Sequence, residues 1–270
     1  MKVACFLLLF SFSVSAEETA IQKRGRAIVE SALAALGGPA FLSMNDRIEE
    51  GRLYSFHREK VSGAARAALF THYLQNPQPT TIGFFGLRER QSFLDKKLKE
   101  ERAILFTELD GYDLNYRGAT PITKEIYDRY RDSTLRNIFY ILRQRRQEKG
   151  MIFEFRETST LDNLPVEVVD ITDDENRVIK VFFHLSSHLP VRQIYNRRNL
   201  ETREVNEEIS MFSKYRDVGG GVMWPFSMVR HRNGEKIFEL FSDSVKINQK
   251  IAESQFMLPA GAKVLKNGRQ

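Results

Sequence analysis

Residues 205–259 constrain the fold more than any other part of the chain, because they read as three antiparallel strands with their turns already specified. Val205, Ile209, Met211 and Tyr215 share one face of a first alternating run, and Trp224, Phe226 and Met228 share one face of a second. Successive side chains of a strand point to opposite faces, so this spacing marks a face that is to be covered. Between the runs, Asp217-Val218-Gly219-Gly220-Gly221 supplies residues that tolerate positive φ. Asn233-Gly234 then turns the chain into a third run, residues 236–248, with a strong hairpin signal. The rest of the chain must cover this meander.

The preceding residues supply more strands and two helical regions. Residues 19–38 read as a helix with capping-box spacing at Thr19 and Gln22. Ile21, Ile28, Val29, Ala32, Leu33 and Leu36 form its apolar stripe. Gly37-Gly38 ends it, and Pro39 keeps it from resuming. From residue 48 to about 116 the period becomes two. The run Ile82-Gly83-Phe84-Phe85-Gly86-Leu87 is apolar on both faces and suits either a buried strand or a mobile lid over a cavity. Residues 121–150 form the second helical region, with Asp132 and Ser133 able to cap a new start within it. Its end carries Arg143, Arg145, Arg146 and Lys149, which reads as a solvated helix end or as a contact for lipid head groups or an acidic partner. Beyond it, strands alternate with short polar turns at 173–176, 186–190 and 199–203. Residues 178–185 read as apolar on both faces. No repeat or linker interrupts this order, so residues 17–270 are expected to form a single domain.

Residues 1–16 are expected to be a secretory signal peptide. A basic start is followed by a short apolar run and by Val14-Ser15-Ala16, with small residues where signal peptidase reads them. The run falls short of the ~20 residues of a membrane span, which weighs against an uncleaved anchor. Cys5, the single cysteine, lies inside that run. The mature chain would then hold no disulfide, no thiolate metal site and no cysteine nucleophile. The formal charge of +6 is spread along the chain, which suits an anionic envelope surface; nucleic acid is not an expected partner of an exported protein.

Motifs for chemistry are absent. His184 and His188 have the i, i+4 spacing of a helical zinc pair, but Ser186-Ser187 and Pro190 make the segment a turn. No G-x-S-x-G elbow is present. The triple glycine is followed by no Lys-Ser/Thr and opens no helix. Asp173-Asp174-Glu175 lacks calcium-loop spacing and reads as a solvated turn. No enzyme, metal or cofactor is expected. What remains is a high content of phenylalanine, twenty residues, which implies either a filled core or an apolar cavity between sheet and helices. The alternating faces nominate Phe153, Phe155, Ile209, Met211, Trp224 and Phe226 as ligand-binding residues.

Several motifs in this order resemble the outer-membrane lipoprotein-sorting superfamily, the LolA/LolB-like proteins. They are Ala32-Leu33-Ala34-Ala35-Leu36-Gly37-Gly38, Leu189-Pro190-Val191-Arg192, Tyr215-Arg216-Asp217-Val218 with Trp224-Pro225-Phe226, and Asn248 followed by Phe256-Met257-Leu258-Pro259. The resemblance implies a mainly β (α+β) fold: one curved antiparallel sheet, or incomplete β-barrel, with helices on its concave face. It further implies a periplasmic, non-enzymatic carrier of a lipid, acyl chain or lipoprotein. The alternative is an envelope protein-interaction module, a sensor or assembly subunit docking an envelope protein or the membrane surface, with a filled interior.

Overall fold

The computed structural model describes residues 18–76, 78–198 and 203–265. The signal peptide expected at 1–16, and all but Arg203 of the turn expected at 199–203, lie outside these residues.

The fold is mainly β. Its first half contributes β1 (Asp46–His57), β2 (Lys60–Tyr73), β3 (Leu87–Leu94), β4 (Glu100–Phe106), β5 (Gly111–Asn115) and β6 (Gly118–Pro121). The second contributes β7 (Ile152–Leu161), β8 (Leu164–Thr172), β9 (Val178–His184), β10 (Pro190–Arg198), β11 (Val205–Asp217), β12 (Met223–Arg232) and β13 (Glu235–Ile247). Together they form one antiparallel sheet in the order β6-β5-β4-β3-β2-β1-β13-β12-β11-β10-β9-β8-β7. The sheet is open, not a closed barrel. Two meanders run outward from a seam where β1 pairs with β13. The chain leaves the first meander at one edge, β6, and must enter the second at the other, β7. The helical segment between them therefore has to cross a face of the sheet, which is why helices cover its concave side.

The hairpins are built as their turn residues require. Gly219, Gly220 and Gly221 have φ of 119°, 64° and 81°, and Asn233-Gly234 has 51° and 82°. Two further tight turns carry no glycine: Arg58-Glu59 at 49° and 61°, and Asp162-Asn163 at 50° and 66°. They are set by the pairing of the long strands on either side, which offsets the roughly 1–2 kcal/mol cost of each left-handed residue.

Helix α1 (Ala20–Ala35) starts at Thr19 with the expected capping box. Ile28, Val29, Ala32, Leu33 and Leu36 enter the core, whereas Ile21 is left exposed in the first turn. Pro39 does not merely stop the helix; it opens the single-turn α2 (Pro39–Leu42), which buries Phe41. Helix α1 lies against the edge strand β7 at Gly25. A Cβ there would sit 2.5 Å from the Phe153 carbonyl oxygen and 2.8 Å from the Phe155 nitrogen. Gly25→Ala should gain about 1 kcal/mol of helix propensity, but the strand backbone cannot yield, and overpacking costs about 1–3 kcal/mol. A net loss of stability is expected in urea denaturation; a gain would mean that α1 does not seat on β7. At the opposite edge, Ala119 on β6 exchanges hydrogen bonds with Lys263 and Leu265 of the C-terminal segment. Both exposed edges are thus covered. Asn248, at φ 55°, ends β13 and accepts a hydrogen bond from the Asn45 N–H, and Phe256 is buried in a small second core with Leu105 and Leu114.

Helix α3 (Lys124–Leu135), capped by Thr123, is followed by the short α4 (Ile138–Tyr140), which continues as a π-helical turn, Ile141–Arg145. The break falls at Asn137, whose side chain accepts from the N–H groups of Phe139 and Tyr140, and not at Asp132-Ser133. Asp132 is occupied by Arg136, and the Ser133 hydroxyl donates to the Tyr130 carbonyl. Two of the four cations at the basic helix end are drawn into the fold. Arg145 is 2% exposed, donating to Glu148, Asp173 and the Leu135 carbonyl. Arg143 lies over the Tyr73 ring and donates to the Met44 carbonyl. These two cations hold the helical segment, Arg146 pairs with Glu30, and Lys149 is left exposed. Asp173, expected in a solvated turn, is buried and also accepts from Arg177. Strand β9 alternates strictly, with Ile179, Val181 and Phe183 buried and Val178 exposed, so it is not apolar-packed on both faces.

Candidate functional site

A partly open cavity of about 240 Å³ lies between α3–α4 and the middle of the sheet. Its floor is built by regular alternation: Arg47 and Glu49 on β1, Thr71 and Tyr73 on β2, Leu87, Glu89 and Gln91 on β3, Ser210 on β11, Trp224, Met228 and Arg230 on β12, and Phe238 and Leu240 on β13. Tyr130, Asn137, Phe139 and Tyr140 form the helical wall.

Of the residues nominated from the sequence, Trp224 alone lines this cavity. Phe226 is buried in the main core close by. Phe153 is buried and Phe155 packs against the same core, but both lie beneath α1, with the Arg24 guanidinium 3.5 Å above the Phe155 ring. Ile209 and Met211 fall on the other face of β11, because Glu208, Ser210 and Phe212 are the residues buried inward. Tyr215 does reach the core, since Lys214 takes a φ of 57° and resets the alternation.

The cavity is more polar than its surroundings. Arg47 is 9% exposed, and its guanidinium sits 4.0 Å over the Trp224 ring. One terminal nitrogen donates to Thr71 at 3.0 Å, and the other lies 3.6 Å from Glu49. Glu49 accepts from the Trp224 indole N–H at 3.3 Å and from the Ser242 hydroxyl. Burial by itself pulls the Arg47 pKa down, but Tyr73, Glu49, Glu89 and Tyr130 more than restore it, so the guanidinium stays charged. Glu89 has its pKa raised by burial, against the pull of a hydrogen bond from Gln91 and the charge of Arg47. Burial likewise raises the Tyr130 phenol well above its ordinary value. Among the described residues that line the cavity, two buried donors have no hydrogen-bond partner: the Arg47 Nε and the Tyr130 hydroxyl.

Residues 82–86 form a loop, and the strand begins at Leu87. The loop is tied to the helical wall. The Tyr140 hydroxyl accepts from the Gly86 N–H at 2.8 Å and donates to the Phe84 carbonyl at 3.1 Å, and Phe85 is buried against Tyr130 and Tyr140. Among the described residues, no group of three or more His, Cys, Asp or Glu side chains could hold a metal. His184 instead organises its turn, with Nδ1 2.9 Å from the Ser187 hydroxyl.

The polar lining was missed because buried charges invert the usual reading of a strand. On β1, Arg47 and Glu49 are buried and Ile48 is not, so alternation taken from hydropathy assigns the faces backwards. The signal that could have located the site is the clash between that assignment and the Trp224 face, which must lie on the same side.

The fold is shared with solved structures of low sequence identity. A putative outer membrane lipoprotein-sorting protein domain from Vibrio parahaemolyticus aligns at a TM-score of 0.56 and 12% identity, over 87% of this chain and 97% of that one. A DUF1329 family protein from Desulfovibrio piger aligns at 0.60 and 10%, over 88% and 98%. A LolA superfamily protein from Nitrosomonas europaea aligns at 0.53 and 11%, over 86% and 97%. The expected likeness to lipoprotein-sorting proteins therefore holds at the level of fold. No family model and no curated protein matches the sequence. No helix among the described residues is long and apolar enough to cross a membrane.

Proposed function

We propose that the chain is a non-enzymatic carrier of the cell envelope, acting in the periplasm as one domain from residue 17 onward, which binds an acyl chain or lipidated partner between its sheet and α3–α4. The observation that carries this reading is the cavity of about 240 Å³, with Leu87, Phe139, Trp224, Met228 and Leu240 among its walls. It lies just below the roughly 300–1,000 Å³ of ordinary ligand pockets, which suits a single chain. Each methylene placed there contributes about 0.8 kcal/mol, so a short chain already supplies useful affinity. The basic charge of the chain and the leader expected at 1–16 support an envelope location. An open cavity also favours a carrier over an interaction module with a filled core.

Ser210 and Met211 are neighbours on opposite faces of β11 and make a direct test. Ser210→Trp should fill the cavity and weaken binding of a fluorescent fatty-acid probe by about tenfold or more, with an overpacking cost of about 1–3 kcal/mol in stability. Met211→Trp should leave binding unchanged. Equal binding by both variants, or none by the wild type, would overturn the carrier reading in favour of the interaction module.

A further inference from the structure

Resting on the carrier reading, we infer that the cavity recognises the carbonyl end of its acyl ligand, with the Arg47 Nε and the Tyr130 hydroxyl as the donors that hold it. Both groups belong to residues lining the same cavity, one on the strand floor and one on the helical wall. Both are buried, and neither has a hydrogen-bond partner. Buried donors are nearly always paired, because an unmet one forfeits its hydration without return. Two such donors around one cavity are met together by an acceptor placed inside it.

The surroundings fix both donors in position. Arg47 cannot swing away, since its terminal nitrogens are engaged by Thr71 and Glu49 and its plane rests on Trp224. The Tyr130 ring is stacked on Phe106 at 3.7 Å and 8°, and meets Phe85 edge-on at 6.1 Å. The nearest carboxylates are largely engaged: Glu49 accepts from Trp224 and Ser242, and one oxygen of Glu89 accepts from Gln91. The charge of Arg47 is already balanced by Glu49. The unmet requirement is therefore for a hydrogen-bond acceptor and not for a net charge. A carbonyl oxygen fits, whether it belongs to a free fatty acid or to an acyl ester, and the aromatic and aliphatic walls take the chain.

Tyr130→Phe is the informative variant. The hydroxyl it removes has no partner in the protein, so the melting temperature should hold or rise. Displacement of a fluorescent fatty-acid probe by decanoic acid and by methyl decanoate should weaken about tenfold, the worth of one buried hydrogen bond. Arg47→Lys, which keeps the charge and removes the Nε donor, should weaken the same ligands. Weakening for the acid alone identifies a free fatty acid as the ligand; weakening for both identifies the carbonyl shared with esters. Wild-type affinity for both ligands in Tyr130→Phe would overturn this inference and leave the carrier reading standing. No binding of either ligand by the wild type would overturn both.

Discussion

Replacing Arg145 by methionine is expected to cost about 3–5 kcal/mol, because it strips the partner from a buried carboxylate. Arg145 and Glu148 are both 2% exposed on their side chains, and Glu148 has Arg145 as its ion-pair partner. Asp173 would keep Arg177, so Glu148 is the group left uncompensated. The Leu135 carbonyl, at the end of α3, would also lose its donor. Urea denaturation checks the magnitude, and a second substitution, Glu148→Met, should recover much of the loss by removing the stranded charge. If Arg145→Met alone is neutral, the network does not anchor the helical segment. The same cluster predicts acid sensitivity. Burial alone would raise the Asp173 pKa, but hydrogen bonds from Arg177 and Arg145 outweigh it and hold the carboxyl below its usual value of 3.8. A depressed carboxyl contributes stability above its unfolded pKa of about 4, and that contribution is lost as pH falls through the folded value. Wild type should therefore lose stability below about pH 4 more steeply than Asp173→Asn.

Trp224→Ala should be comparably severe, at about 3–5 kcal/mol for loss of a large buried aromatic. Three contacts go at once: the Phe139 ring at 5.0 Å, the Arg47 guanidinium stacked above, and the indole N–H given to Glu49. Because Trp224 forms part of the cavity floor, the same substitution enlarges the site. The variant should be less stable and, on the proposed carrier function, shift its preference among fatty acids toward longer chains. Chemical denaturation and a chain-length series in the probe assay measure the two effects separately. A stable variant with unchanged chain preference would place Trp224 outside the binding region.

Local signals in the chain determine much of the architecture. The capping box at Thr19, the triple glycine, Asn233-Gly234 and Asn248 act within a few residues of themselves, and each sits where its conformational preference requires. The antiparallel character of the sheet follows from these turns, since tight hairpins can join strands in no other sense. Trp224 and Phe226 share the face their spacing implies and both are buried, although Pro225 and Ser227 on the other face are buried too. Which face of the other strands lies inside is set by long-range pairing. Ile209 and Met211 alternate as cleanly as Trp224 and Phe226, yet register across β12 sends Ser210 and Phe212 inward. Arg47 and Glu49 on β1 are charged and yet buried, because Thr71, Trp224 and Ser242 reach them from β2, β12 and β13. Arg145, expected at a solvated helix end or at a contact for head groups or an acidic partner, lies in the core, because Glu148 and Asp173 meet it there. Hydropathy records the cost of burying a side chain alone. The partners that offset that cost arrive from distant parts of the chain, and no local pattern encodes their arrival.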